Sequence, residues 1–343
     1  MQWAVLLAGG SGSRFWPLSS PSRPKHLLPL AGQTSSAAET FARLDGLIAP
    51  ERILVVAGAQ LAGQLKGSIP VPDTNVLVEP EARSTGPALA WGSFEALRRD
   101  PDAIVLSMHT DWHVPDRAAF ARVGRTALEL SDRHDVLVTV GVVPTRPETG
   151  YGYIVPGEPL DGTGRRVGRF VEKPKEAEAR VLIEQGALWN SGLFAWKASM
   201  ALAEIRRVTP EIADALPSLE RGDVAGYFRA AEPVSIDVGL LERSDRVAVV
   251  AGDFRWDDIG TWNALARVRP TDQNGNVIVG NATLVDSRDC IVWSEETPIV
   301  VSGVDNLVVV AANGRILVLD RGRAADLKQT LDVLPPAIRE LPT

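Results

Sequence analysis

Short apolar runs alternate with stretches of helical periodicity along the first half of the chain. In the stretches between the runs, including 86–98 and 117–130, apolar residues recur every three to four positions. Because the runs are apolar on both faces and helices separate them, they predict a parallel sheet covered on both sides. Ligands of such sheets bind beyond the carboxyl ends of the strands. The predicted strands are 3–8, 53–58, 75–80, 103–107 and 136–142.

The second half of the chain mixes the two patterns. Two β-like segments, 168–174 and 192–196, are interleaved with predicted helices at 176–185 and 198–208, which favours an insertion that completes a site. Further on, short apolar strands are separated by turn signals and followed by a helix. We therefore expect a large domain over 1–270 and a small β-rich domain over 271–343. The turn signals are 274–276, 286–289 and 312–315, and the closing helix is 324–334.

Composition narrows the class of protein. A net charge of -7 argues against broad binding to nucleic acid or to an anionic membrane, so we expect neither as a partner. The single cysteine, Cys290, excludes an internal disulfide framework and fits a reducing compartment. The first apolar run is too short to span a membrane. We expect a folded cytoplasmic protein.

The segment after the first strand, LLAGGSGSRFWPLSSPSRPKHLLPL at 6–30, carries Arg14 and Lys25 but no acid. The first acidic residue of the chain is Glu39, although average composition would place about five acids before it. Glycines after a strand let backbone N–H groups approach a phosphate closely, although such a turn can also be purely structural. The spacing fits neither the dinucleotide fingerprint, which requires glycine where Phe15 stands, nor a Walker A loop.

The same segment resembles the signature of sugar-nucleotide pyrophosphorylases, as in mannose-1-phosphate guanylyltransferases: G-G-x-G-x-R-x-W-P-L-S followed by P-K-x-x-L-P-L. The resemblance continues through EPEARSTGPALA, PTRPETGYGYI, FVEKP, WNSGLFAW and DFRWDDIGTWNAL, and covers about residues 1–335. It implies a Rossmann-like α/β fold of the glycosyltransferase A type, with a mixed, mainly parallel sheet flanked by helices. It also implies a small C-terminal domain resembling a left-handed β-helix.

The resemblance further implies a reaction. The phosphate of α-D-mannose 1-phosphate attacks the α-phosphorus of GTP in line, which gives GDP-mannose and pyrophosphate without an enzyme nucleophile. Such a transfer gathers several phosphates, so the site must supply cations, and the implied cofactor is Mg²⁺. A homodimer is implied as well.

The implied nucleotide site lies around the end of the first strand. Arg14 is placed on the triphosphate, and Lys25 near the α-phosphate and the leaving pyrophosphate. Asp111 and Asp258 match the two metal-binding aspartates, although an aspartate taken alone is more often a helix cap or a turn residue. Asp257 is the neighbour most easily confused with Asp258. The residues implied to lie under the nucleotide are Leu7, Ala8, Gly9, Gly10 and Gly12.

The base pocket is expected in EPEARSTGPALA. Guanine offers N1–H and N2–H₂ donors, and Glu79 is a candidate acceptor for them. Relatives often carry asparagine and alanine where this chain has Ser84 and Gly86, which leaves the base less determined than the reaction. Thr85 fits the pocket, the N-cap of the following helix, or both.

The resemblance assigns four residues to the sugar phosphate. Glu172 is placed on the sugar hydroxyls and Lys173 on the phosphate, while Gly152 and Asn190 complete the pocket. These two residues either point to opposite faces of a strand or divide at its end, and an exposed Glu–Lys pair is the ordinary alternative for them.

Around Asp111 the chain departs from the family pattern. Trp112 directly follows the aspartate, and the roles of His109 and His113 stay open; together with an acid they could suggest a transition-metal site, although surface positions are more usual.

Two further functions stay open at this point. One is a related nucleotidyltransferase with another base or sugar. The other is a non-catalytic regulatory paralogue, which would be expected to lose charged site residues. All five residues that such a paralogue would lose are present: Arg14, Lys25, Asp111, Lys173 and Asp258.

Overall fold

The computed structural model describes residues 1–10, 12–67 and 69–340. The chain forms two compact units, neither of which is continuous in sequence. The boundary expected near residue 270 stays a prediction, because the small unit also takes in two stretches that lie far before that residue in sequence. The large unit contains Met1–Gly9, Phe41–Thr110 and Val114–Trp256, and the small unit contains Gly10–Thr40, Asp111–His113 and Asp257–Thr343.

A single mixed sheet forms the centre of the large unit. Its strand order is β3-β2-β1-β4-β8-β5-β9-β7-β6. The central strands are buried on both faces, which explains why they are continuously apolar in the sequence. In the described residues the strands of this sheet are β1 Gln2–Ala8, β2 Ile53–Gly58, β3 Val76–Glu79, β4 Ile104–His109, β5 Leu137–Val142, β6 Tyr153–Pro159, β7 Arg165–Val171, β8 Leu188–Lys197 and β9 Val247–Gly252.

The predicted α/β class and the five predicted strands are confirmed. Strands β3, β2, β1 and β4 pair in parallel, as do β5 and β9. Every antiparallel pairing given for this sheet includes β6, β7 or β8. Parallel pairing therefore predominates only among the strands β1 to β4. These three strands come from the mixed segment after β5, whose periodicity did not predict a strand direction.

Helices cover the faces of the sheet and connect its parallel strands. The predicted helices 86–98, 117–130, 176–185 and 198–208 are confirmed with small shifts at their ends. In the described ranges, none of the helices combines the length and the apolar character that crossing a membrane requires. The α-helices are α1 Ser36–Leu44, α2 Ala59–Leu65, α3 Thr85–Arg99, α4 Arg117–His134, α5 Glu176–Glu184, α6 Ala198–Val208, α7 Pro210–Ala213, α8 Leu216–Glu220, α9 Val224–Ala230, α10 Leu265–Val268, α11 Leu327–Asp332 and α12 Pro336–Arg339.

A second sheet, in the small unit, confirms the predicted β-rich C-terminal region. Its first three strands pair in parallel, and its last two form an antiparallel hairpin. Asn313 and Gly314 both have positive φ angles in that hairpin, as the Asn-Gly turn signal predicts. The strands are β10 Val277–Val285, β11 Ile291–Ser302, β12 Leu307–Ala312 and β13 Arg315–Asp320.

The apolar core of the small unit joins the segment after β1 to this sheet. Trp262 is fully buried, with its ring 5.2 Å from Phe15 and 6.1 Å from Trp293, in edge-to-face geometries. Leu18 and Leu28 belong to the same cluster. Residues that are far apart in sequence therefore share one core, in which apolar residues of the acid-free segment pack against the C-terminal sheet.

We expect the substitution Trp262→Ala to lower the free energy of unfolding by about 3–5 kcal/mol, because it leaves a large cavity in this core. Urea denaturation followed by circular dichroism measures the change. Val300→Ala on the exposed face of β11 is the control and should change stability by less than about 0.5 kcal/mol. Equal losses in the two variants would contradict this description of the core.

Candidate functional site

Lys25 occupies a buried position at the end of the acid-free segment. It begins the 3₁₀ turn Lys25–Leu27, after Pro24. A Cβ atom at Gly12 would lie 2.6 Å from the Cβ of Lys25, and Gly12 has a φ of 62°. Only glycine fits there without displacing Lys25, so the glycine loop sets the position of the lysine.

The ammonium of Lys25 lies between two aspartates. Its Nζ donates to Oδ2 of Asp111 at 2.7 Å and to the main-chain oxygen of Asp258 at 2.8 Å. The lysine side chain is 9% exposed and that of Asp111 20%, so this pair is shielded from solvent far more than a surface salt bridge. The structure thus brings together three of the charged residues that the resemblance assigned to catalysis.

A small β-bridge holds the two aspartates close together. The main-chain N–H of His113 donates to the oxygen of Asp257 at 2.8 Å, and the N–H of Asp257 returns a bond to His113 at 3.1 Å. Asp111 precedes one side of this bridge and Asp258 follows the other. The fold therefore assigns a backbone role to His113, while the neighbouring Trp112 is buried.

Asp257 and Asp258 have different surroundings. Arg267 donates to both carboxylate oxygens of Asp257, at 2.6 and 3.0 Å, and Asp257 is 6% exposed. Asp258 is more exposed, and its Oδ1 accepts from the N–H of Gly260 at 3.1 Å. Asp257 is thus neutralised by an arginine, whereas Asp258 lies beside Lys25.

The other residues assigned to the nucleotide follow one another along the chain, from the end of β1 onward. Leu7 and Ala8 are buried in the strand, and the main-chain oxygen of Leu7 accepts from the N–H of Thr110. Gly9 and Gly10 follow as exposed residues. Arg14 lies in the 3₁₀ turn Ser13–Phe15 and is also exposed.

Glu79 ends β3 in the large unit. Burial raises the pKa of its carboxyl group to about 7. The group therefore changes charge close to neutral pH.

The helix after β3 starts in an unusual geometry. Ser84 has a φ of 71° and stands at the N-cap of α3, with no side-chain capping bond. The capping role considered for Thr85 is wrong: Thr85 is the first helical residue, and its hydroxyl accepts from the N–H of Ile236 at 3.0 Å. The N–H of Gly86 donates to the oxygen of Val234 at 3.0 Å. The start of the helix is therefore held by the segment 234–236.

The four residues assigned to the sugar phosphate lie close together in the large unit. The main-chain N–H of Asn190 donates to the oxygen of Gly152 at 2.8 Å. A Cβ atom at Gly152 would lie 2.6 Å from Oε2 of Glu172, so glycine gives this carboxylate its room. Glu172 and Lys173 follow the end of β7 instead of occupying opposite faces of a strand, and they form an ion pair of 2.6 Å. Lys173 has a φ of 47° and is largely exposed.

Sequence reasoning missed one residue of this cluster. Oδ1 of Asp237, in the π-helical turn Asp237–Leu241, accepts from the side-chain amide of Asn190 at 2.7 Å. A single acid in SIDVGLL carried no signal, because it follows Asn190 by 47 residues and belongs to no motif that was singled out.

Metal-binding residues are limited. Among the described residues there is no group of three or more His, Cys, Asp or Glu side chains that could hold a metal ion. A transition-metal site built on His109 and His113 therefore has no support, whereas a pair of carboxylates with phosphate oxygens and water is the usual setting for Mg²⁺.

We expect Asp257→Asn to lower the free energy of unfolding by roughly 1–3 kcal/mol, because it leaves Arg267 with a neutral partner in a shielded position. Asp258→Asn is the matched neighbour and should change stability by less than about 0.5 kcal/mol. Urea denaturation of both variants measures the difference. Destabilisation by Asp258→Asn alone would reverse the structural roles given to the two aspartates.

Two family models match the chain. The model described as Nucleotidyl transferase matches residues 3–275, and the one described as MannoseP isomerase/GMP-like beta-helix domain matches residues 280–334. Both matches agree with the large sheet and with the β-rich C-terminal region.

Individual relatives agree with the family models. The mannose-1-phosphate guanylyltransferase of Klebsiella pneumoniae is 34% identical over 96% of this chain and 73% of its own length. The xanthan biosynthesis protein XanB of Xanthomonas campestris pv. campestris is 35% identical over 98% of this chain and 73% of its own. A crystal structure from Thermus thermophilus, described as a mannose-1-phosphate geranyltransferase, has a TM-score of 0.88 at 35% identity, covering 96% of this chain and 98% of that one. The chain therefore belongs to the nucleotidyl transferase family and, within it, to the mannose-1-phosphate guanylyltransferases.

Proposed function

We propose that this protein transfers GMP from GTP to α-D-mannose 1-phosphate, giving GDP-mannose and pyrophosphate. The observation that carries the proposal is the position of the Lys25 ammonium, 2.7 Å from Asp111 and 2.8 Å from the main-chain oxygen of Asp258, behind a glycine loop that contains no acid. Relatives with the name mannose-1-phosphate guanylyltransferase support the choice of substrates.

The two aspartates fit a magnesium ion. The surroundings of the Lys25 ammonium support this: the carboxylate of Asp111 and the main-chain oxygen of Asp258 bind it, and carboxylate oxygens are the hard ligands that Mg²⁺ prefers. We propose Asp111 and Asp258 as its protein ligands. When bound, the ion would offset the negative charge of the phosphates and of the transferring group.

The chain's own residues supply the remaining cationic chemistry. In the proposed reaction an oxygen of the sugar phosphate forms a bond to the α-phosphorus, and the bond from that phosphorus to the bridging oxygen of pyrophosphate breaks. Lys25 stabilises charge at the α-phosphate and on the leaving group, and Arg14 binds the triphosphate. The exposed backbone of Gly9 and Gly10, with Gly12, offers N–H groups to the phosphates, and Leu7 and Ala8 precede these glycines at the end of β1.

Specificity is proposed to come from two groups of the large unit. Glu79 accepts the guanine N1–H and N2–H₂ donors, beside the backbone of Ser84, Thr85 and Gly86. Glu172 and Asn190 bind the mannose hydroxyls, with the backbone of Gly152 close by, and the exposed Lys173 binds the phosphate. This last cluster is supported by the contacts among its members.

We further propose that the protein works in the cytoplasm as a homodimer. The single cysteine fits a reducing compartment. Size-exclusion chromatography with light scattering tests the oligomeric state.

The activity test incubates the purified protein with Mg²⁺, each nucleoside triphosphate and a panel of sugar 1-phosphates, and measures pyrophosphate release. We expect GTP with mannose 1-phosphate to give the highest kcat/KM, and a chelator to abolish turnover. Turnover with another pair alone would replace the proposed substrates, and none with any pair would favour a non-catalytic protein.

Lys25→Ala and Asp111→Asn should each lower kcat by at least about a hundredfold, because each removes a group that stabilises charge in the transition state. Steady-state kinetics with the preferred substrates measure the effect. Arg122→Ala removes an arginine that pairs with Asp253 on the surface of the large unit, and it serves as the control with unchanged kcat. A near-normal rate in either site variant would remove that residue from the mechanism.

Binding of GTP should weaken as the pH falls through about 7, the pKa of Glu79. The charged carboxylate accepts the guanine donors above this pH and becomes protonated below it, so affinity should fall about tenfold between pH 8 and pH 6. Calorimetric titration of the wild type and of Glu79→Gln measures this. Titration of the triphosphate is common to both proteins, so their ratio isolates Glu79, and a pH-independent ratio would contradict its role.

A further inference from the structure

Asp237 shares a hydrogen-bonded cluster with the proposed sugar-binding residues. It starts a π-helical turn, Asp237–Leu241, that packs within the large unit. Its carboxylate accepts from Asn190, and the charges of Glu172 and Lys173 act on it. It carries no role in the reaction as proposed above.

The contacts of Asn190 leave only one orientation for its side-chain amide. Oδ1 accepts from the hydroxyl of Thr139 at 2.9 Å and from the N–H of Gly192 at 3.2 Å. Nδ2 donates one hydrogen to Asp237 at 2.7 Å. With both oxygen lone pairs and one N–H occupied, the amide has only its second N–H to offer, so it can serve a sugar as a donor and not as an acceptor.

Asp237 is itself held from the other side. The preceding residue, Ile236, donates its N–H to the hydroxyl of Thr85 at 3.0 Å. Two residues earlier, the oxygen of Val234 accepts from the N–H of Gly86. The carboxylate therefore projects from a segment tied down at the start of α3, and a rigid support of this kind fixes a polar group more firmly than a free loop.

The electrostatic surroundings are consistent with a constrained carboxylate. Burial raises the pKa of Asp237 to about 6, with a further contribution from the charge of Glu172, while the bond from Asn190 and the charge of Lys173 act in the opposite direction. At neutral pH the carboxylate is mostly charged, which makes it a strong acceptor for the amide.

We propose that Asp237 is a positioning residue of the sugar site: it holds the Asn190 amide so that its remaining N–H faces an oxygen of the bound sugar. This inference rests on the proposed function, since it takes mannose as the ligand beside Glu172 and Asn190. It adds to that site a residue that affects sugar binding by orienting the amide of Asn190.

Equilibrium binding of GDP-mannose and of GDP, both measured by calorimetry, tests the proposal. The ratio of the two affinities isolates the contribution of the mannose. Asp237→Ala should lower this ratio about tenfold, because the amide loses its charged acceptor and can turn, while the affinity for GDP stays within about twofold. Asp237→Asn retains an oxygen acceptor and should recover most of the ratio.

A double-mutant cycle separates positioning from an independent contact. If Asp237 acts through Asn190, the variant Asp237→Ala/Asn190→Ala should lose no more mannose affinity than Asn190→Ala alone. Additive losses would overturn the proposal, and so would equal losses in Asp237→Ala and Asp237→Asn.

Glu204→Gln is the matched control, because Glu204 is another shielded acid of the large unit, bound by Arg207 and Ser244. It should leave the ratio unchanged, and a loss equal to that of Asp237→Ala would show general loosening and overturn the proposal. A wild-type protein that binds GDP-mannose no better than GDP would refute mannose as the ligand and this inference with it. A normal wild-type ratio that Asp237→Ala leaves unchanged refutes the inference alone.

Discussion

A shielded lysine next to two aspartates is the constraint on which the proposed chemistry of the small unit depends. Taking an ammonium group out of water is costly unless oxygen atoms replace its hydration, and the Asp111 carboxylate with the main-chain oxygen of Asp258 supplies that replacement for Lys25. The approach of the backbone that permits this arrangement requires glycine at position 12. Carboxylate oxygens, such as those of Asp111, are also the ligands that the proposed Mg²⁺ prefers.

The supports of this arrangement lie far from the glycine loop in sequence. Phe15 packs on Trp262, which in turn packs on Trp293 of the C-terminal sheet. Arg269 donates to the main-chain oxygens of Pro29 and Leu30, at the end of the acid-free segment. The segment that carries Lys25 is thus stabilised by Trp262 and Arg269, and Trp262 in turn packs on the C-terminal sheet.

In the large unit, hydrogen bonds between side chains hold the proposed sugar-binding residues in place. Around Lys25, an apolar core does so. Thr139, Asp237 and Asn190 orient one another, and Gly152 makes room for Glu172. Partners are defined for the amide oxygen of Asn190 and for one of its two N–H groups, so the amide has one N–H left for a ligand. Recognition of a sugar, whose isomers differ only in the direction of a hydroxyl group, requires that degree of order.

The sequence by itself determined the elements and the family. Apolar runs buried on both faces predicted β1 to β5 because a covered parallel sheet requires them, and the Asn-Gly signal predicted the β12–β13 turn through its positive φ angles. Only the tertiary structure decided the direction of β6, β7 and β8, since pairing direction depends on neighbours and not on periodicity. It also separated Asp257 from Asp258 through Arg267, and it added Asp237, because a side chain's partner is set by distance in space. Local sequence patterns determine which residues are buried and which turns form, whereas the pairing of charges depends on contacts between residues distant along the chain.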